Sequence, residues 1–158
     1  MGIDEAGRGP VLGPMVYGTC FCPVSKSEEV KQTGVADSKV LSEERREELF
    51  TAIDSSPRLL GWKVEILSPS HISNCMLRRT KYNLNALSHD TAIGLIRKVL
   101  ADGVNLTQVY VDTVGDPGKY QAKLTGLFPQ LSVTVAKKAD SLYPIVSAAS
   151  ICAKVRRI

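Results

Sequence analysis

Histidine and closely paired cysteine are scarce in this chain of 158 residues, and the scarcity removes several chemistries. The two histidines, His71 and His89, stand too far apart for an H-E-x-x-H zinc site and read as structural or surface residues. Cys20, Cys22, Cys75 and Cys152 have no C-x-x-C spacing, so neither structural zinc nor thioredoxin-like chemistry is indicated. They read as reduced, buried thiols of an intracellular protein. Long apolar runs are missing too. The longest charge-free stretch, Gly9 to Ser25, contains Pro10, Pro14 and Pro23, which excludes a transmembrane helix, so no membrane partner is expected. Asp4 and Glu5 spoil a signal-peptide start, and Ala6 fails the myristoylation pattern. No repeat, linker or low-complexity block divides the chain. Residues 1–158 therefore read as one domain, long enough to bury about two thirds of its unfolded surface.

What is present begins with charge. A net charge of +4 fits an acidic partner without requiring one. Basic residues gather at Arg78-Arg79-Thr80-Lys81, at Lys137-Lys138 and at Lys154 with Arg156-Arg157, the patchiness of a nucleic-acid surface and equally of solvated faces. None of these clusters reaches the run of five expected of a nuclear-import motif.

Apolar patterning predicts strands first and then alternating helices and strands. Residues 1 to 5 and 13 to 22 are rich in β-formers broken by Gly and Pro, and 61 to 67 make a third strand. Before that third strand, Ser42 caps a surface helix with acids in its first turn. A long helix spans 84 to 102, with Leu84, Leu87, Ala92, Leu95, Ile96 and Val99 as its inward stripe and Gly103 as its stop. A short strand, 108 to 112, ends in an acid; Asp116-Pro117 opens a helix to Leu127. A strand over 132 to 135 and a helix of small residues over 144 to 154 complete an α/β fold with a mixed central sheet flanked by helices.

Acids fall at corresponding places in this pattern. Asp4 and Glu5 end the first strand, Asp112 ends a later one, and Asp140 lies just beyond the next. Sites in open α/β sheets gather outside the carboxyl ends of parallel strands. Four acids gathered there would repel one another, and two divalent cations remove that repulsion while supplying chemistry. Each acid also has a plain structural reading: a solvated Asp-Glu pair, a turn former at Asp112, a helix cap at Asp140. Neighbouring strand residues point to opposite faces, so Asp4 and Glu5 are expected to share a site only if the strand ends there. Gly7 and Gly9 make that ending plausible, and they let the Arg8 guanidinium and main-chain N–H groups approach a polyanion.

Five motifs taken in order resemble type 2 ribonuclease H: Gly2-Ile3-Asp4-Glu5-Ala6-Gly7-Arg8-Gly9-Pro10, Ala36-Asp37-Ser38-Lys39, Tyr110-Val111-Asp112, Lys138-Ala139-Asp140, and Ser147-Ala148-Ala149-Ser150-Ile151-Cys152-Ala153-Lys154. Lys81-Tyr82-Asn83-Leu84-Asn85 and Leu87-Ser88-His89-Asp90-Thr91-Ala92 are similar to the catalytic subunit of the eukaryotic enzyme. The resemblance spans nearly the whole chain and implies a ribonuclease H-like fold.

It further implies an endonuclease that cuts RNA in RNA–DNA hybrids and beside single ribonucleotides in duplex DNA, leaving 5′-phosphate and 3′-hydroxyl ends. Asp4, Glu5, Asp112 and Asp140 would be its catalytic, metal-binding set, taking two ions of Mg²⁺ or Mn²⁺ for in-line attack. Gly7, Arg8 and Gly9 would read the 2′-hydroxyl. Ser38 and Lys39 would contact phosphate. Ser147, Ser150 and Lys154 match a family segment without a settled role, because small helical residues also simply pack. A nuclear location and two accessory subunits of a heterotrimer are implied as well.

The resemblance has departures. The chain begins three residues before Asp4, so the first strand is expected to lack much of its N-terminal half. Past Ile158 the family continues into a helical C-terminal region carrying the tyrosine that stacks on the deoxyribose, and no tyrosine here replaces it. Two rivals follow: a truncated, non-catalytic remnant that binds hybrids or partner subunits, and another metal-dependent phosphohydrolase, which leaves Gly7-Arg8-Gly9 unexplained.

Overall fold

In the computed structural model, residues 1–8, 13–35, 39–78 and 83–157 are described. Their strands are β1 (Gly2–Ala6), β2 (Met15–Phe21), β3 (Gly61–Leu67), β4 (Gln108–Asp112) and β5 (Ser132–Ala136). They form one sheet in the order β3-β2-β1-β4-β5. The β1–β2 and β2–β3 pairs are antiparallel, whereas β1–β4 and β4–β5 are parallel. The helices are α1 (Ser27–Gln32), α2 (Glu43–Asp54), α3 (Pro69–Arg78), α4 (Leu84–Ala101), α5 (Pro117–Leu127), α6 (Ala139–Leu142) and α7 (Pro144–Arg157).

The period of two along β1 assigns its faces. Ile3 enters one core with Met15, Tyr17 and the buried stripe of α4. Gly2 faces α7 instead, and a Cβ built there would lie 2.6 Å from the Ile145 carbonyl carbon. Cys20 of β2 joins Ala148, Ala149, Ile151 and Cys152 of α7 in a second core, closed over by Val30, Leu49 and Ile53 of α1 and α2. Helices therefore cover both sheet faces, as alternating elements require. The small residues of α7 serve close packing, with Ala148, Ala149 and Ala153 fully buried.

Local signals account for most boundaries. Ser42 caps α2 by accepting from the Arg45 amide at 3.1 Å, and Asp116 caps α5 by accepting from the Gly118 amide at 2.9 Å. Gly103, at φ +87°, follows the end of α4. Three helices go beyond the sequence pattern: α1 and α6, of six and four residues, are too short to show a period, and α3 is ten residues opened by Pro69. Asp140 is not a helix cap, because α6 is capped by Lys138 in the left-handed region and Asp140 sits buried within the first turn. Only Cys20 and Cys152 of the four thiols are buried, with sulfurs 3.4 Å apart; Cys22 and Cys75 are partly exposed. His89 stacks on Tyr120 with centroids 3.8 Å apart, a structural role. Among the described residues no helix is long and apolar enough to cross a membrane.

Candidate active site

The acids meet at the carboxyl end of the central parallel pair. Pairing between β1 and β4 runs through Gly2↔Tyr110 and Ile3↔Val111, so Asp4 stands level with Asp112, where β4 stops. β1 itself continues through Glu5 to Ala6, paired with β2 along that length. This corrects the expected condition for a shared site. The neighbouring strand ends rather than β1, and Glu5 reaches over that end from the opposite face. One carboxylate oxygen from each of Asp4, Glu5 and Asp112 lies within 4.8 Å of the other two. Asp140 stands outside this triplet but lines the same cleft.

Each acid is held by a different part of the fold. Asp4 is 5% exposed; its Oδ1 accepts from the Glu5 amide at 2.8 Å, and its carboxylate also accepts from Ser150 of α7. Asp112 Oδ1 accepts from the Ala139 amide at 2.8 Å, which ties the end of β4 to the start of α6. The main-chain carbonyl of Asp140 accepts from the Ser147 hydroxyl, so α7 braces that turn as well. Ser147 and Ser150 thus act in hydrogen bonds within the site's scaffold.

Crowding shows in the electrostatics. Burial, then Asp112 and Glu5, push Asp4 well above the usual carboxylate range. Burial first and Asp112 second push Glu5 from 4.5 to about 7, against the opposing pull of Arg8. Acids thus crowd the floor of the cleft, and Arg8, Lys39, Arg46, Lys154 and Arg157 line it together with Glu43. Sequence motifs single out Arg8, Lys39 and Lys154, and Arg157 stands in the basic cluster with Lys154; Arg46 carries no local signal beyond its charge.

The glycine turn is built as its composition suggests. Gly7 has φ +89°, and a Cβ there would lie 2.5 Å from both the Pro14 carbonyl oxygen and Arg157 Nε. Arg157 Nε in turn donates to the Pro14 carbonyl at 3.1 Å, closing the end of α7 onto this turn. Arg8 donates from Nη2 to the Asn85 carboxamide oxygen. Gly9 and Ser38, both expected substrate contacts, lie outside the described residues.

A mixed five-stranded sheet with acids gathered at the carboxyl end of its central parallel pair defines an α/β domain of the ribonuclease H-like class. Solved structures share it. The ribonuclease HII of Archaeoglobus fulgidus, from a complex with PCNA, superposes with a TM-score of 0.81 at 34% identity, covering 99% of this chain and 70% of that one. Ribonuclease H2 of Pyrococcus horikoshii gives 0.78 at 34% identity over the same shares. The family model for ribonuclease HII matches residues 1–158, and the chain belongs to that family.

Curated relatives are more similar in sequence. The ribonuclease H2 A subunits of Bos taurus and of Homo sapiens are each 59% identical over 157 residues, and that of Arabidopsis thaliana is 55% identical. The two mammalian alignments cover 99% of this chain and 52% of the relatives, so the chain spans about half their length.

Proposed function

We propose that this chain carries the catalytic centre of a type 2 ribonuclease H, hydrolysing RNA in RNA–DNA hybrids and at single ribonucleotides embedded in duplex DNA. The observation that carries the reading is the convergence of Asp4, Glu5 and Asp112 within 4.8 Å in a cleft that Asp140 also lines. Membership of the ribonuclease HII family supports it.

The donor set fits hard divalent cations. It consists of carboxylate oxygens alone, without histidine or thiolate, and the repulsion among these crowded acids, which Arg8 only partly offsets, is relieved when a cation takes the place of their protons. Asp4, Glu5, Asp112 and Asp140 would hold two Mg²⁺ or Mn²⁺ ions, which supply charge neutralisation and Lewis-acid assistance to in-line phosphodiester hydrolysis. The protein's own contribution is placement. Ser150 and the Glu5 amide orient Asp4, and the Ala139 amide orients Asp112. Gly7, Arg8 and Gly9 would read the 2′-hydroxyl beside the scissile bond, through main-chain groups that flanking glycines leave uncovered. Lys39, with Ser38, would contact phosphate as a point charge. Two accessory subunits and a nuclear site of action complete the reading, by likeness to the eukaryotic relatives.

The deciding experiment is cleavage of a duplex carrying one ribonucleotide, in Mg²⁺ or Mn²⁺, on protein shown by circular dichroism to be folded. Incision beside the ribonucleotide is expected, with loss of at least about a hundredfold in Asp112→Asn. Removing the substrate 2′-hydroxyl should abolish cutting; an unchanged rate would point to a different phosphohydrolase. Folded protein that binds hybrid without cutting it would make the chain a binding module instead.

A further inference from the structure

Asn85 belongs to the Lys81-Tyr82-Asn83-Leu84-Asn85 segment, which the acidic cleft leaves without a role. Its carboxamide oxygen accepts from Arg8 Nη2, across 77 residues of sequence. Arg8 needs such an anchor. It follows a glycine at φ +89°, and its long side chain gives up rotamer freedom when fixed.

The anchor stands on a capped helix. Asn85 lies in the first turn of α4, which Asn83 caps by accepting from the Ala86 amide at 2.9 Å. One turn further on, Ser88 is buried and accepts from the Tyr17 hydroxyl at 2.5 Å. Tyr17 pairs with Glu5 in the β1–β2 register. Contacts therefore form a closed ring: Glu5 to Tyr17 across the sheet, Tyr17 to Ser88, Ser88 to Asn85 along the helix, Asn85 to Arg8, and Arg8 back to Glu5 along the chain. A ring of this kind places Asn85 relative to the acids, and the hydrogen bond from Arg8 ties the guanidinium to that place.

We propose that Asn85 is a positioning residue that holds the Arg8 guanidinium at the rim of the acidic cleft, so that its remaining donors face the nucleic acid next to the cutting site. This rests on the function proposed above. The carboxamide suits this role because it accepts from Arg8 without adding charge, whereas a carboxylate there would repel a phosphate and neutralise the guanidinium.

The test uses this chain with Asn85→Leu, Arg8→Ala and both changes together, each shown by thermal melting to be folded. On a duplex with one ribonucleotide, Asn85→Leu is expected to raise KM about five- to tenfold while kcat changes little. The double variant should match Arg8→Ala alone, because an anchor with nothing to hold has no further effect. Effects that multiply in the double variant, or an unchanged KM in Asn85→Leu, would overturn the proposal. A second readout does not need cleavage. In ¹⁵N NMR the Arg8 Nη groups should show restricted rotation that is lost in Asn85→Leu. If the unaltered chain fails to cut, the proposed function falls, yet the NMR comparison still decides this contact: a lost restriction supports it and an unchanged signal overturns it.

Discussion

Gly7 shows how much of the site depends on single side chains that are absent. Its φ of +89° suits glycine, and the two atoms 2.5 Å from a notional Cβ are a main-chain carbonyl oxygen and the Nε of Arg157. Neither yields easily, since Arg157 is already hydrogen-bonded to that same Pro14 carbonyl. Gly7→Ala is expected to lower stability by about 1–2 kcal/mol for the left-handed backbone alone and to displace Arg8 in the process. Urea unfolding reads the first effect and KM on a ribonucleotide-containing duplex reads the second. A stable variant with normal KM would mean that the turn tolerates a side chain. The motif's glycines are legible from sequence as a turn made for close approach. What lies beyond sequence is that part of the approaching surface is Arg157 in the last turn of α7.

At the scale of elements, α7 is the piece that joins core and site. One face buries Ala148, Ala149 and Ala153 against the sheet, while Ser147, Ser150, Lys154 and Arg157 reach the acids and the cleft. A Cβ on Gly18 of β2 would collide with the Ala149 carbonyl oxygen and lie 2.9 Å from the Ala153 amide, both backbone atoms of α7. Gly18→Ala must therefore lift the helix, costing about 1–3 kcal/mol and reducing cleavage through the shifted Ser150. Gly94 in α4 offers the opposite case, with nothing within 4 Å of its notional Cβ. Gly94→Ala should stabilise by about 0.5–1 kcal/mol by raising helix propensity, with cleavage unchanged. Denaturant midpoints for the two variants test the pair of signs. Elements of this sort are mostly legible, because strand composition, Ser42, Asp116 and Gly103 mark their positions directly. The helix α3 is not, since its sequence opens with Ser68-Pro69-Ser70, which reads as a turn. Nor is the sharing of one site by Asp4 and Glu5, which depends on where β4 stops beside β1, a register that no local pattern in β1 encodes.

Across the whole molecule, the acids impose a pH dependence that cations should reverse. Glu5 titrates near its ordinary 4.5 when the chain is unfolded and at about 7 when folded, and burial pushes Asp4 upward as well. Between those two values the folded state binds more protons than the unfolded state. The contribution of Glu5 to the stability of the metal-free chain is then fully present below about 4.5 and is lost as pH rises through about 7. The direction is the reverse of the common carboxylate case, in which an ion pair lowers the folded pKa and acid destabilises. A divalent cation that binds only the folded state adds about 2.7 kcal/mol at a hundredfold excess over its Kd, and it does so most effectively where the carboxylates are ionised. Thermal melts in EDTA should thus fall from pH 5 to pH 7.5, and Mg²⁺ should flatten or invert that slope. Glu5→Gln should raise the metal-free melting temperature at pH 7.5 and blunt the response to Mg²⁺. A melting temperature that rises with pH in EDTA, or a Mg²⁺ response unaffected by Glu5→Gln, would remove these crowded carboxylates as the source of the effect.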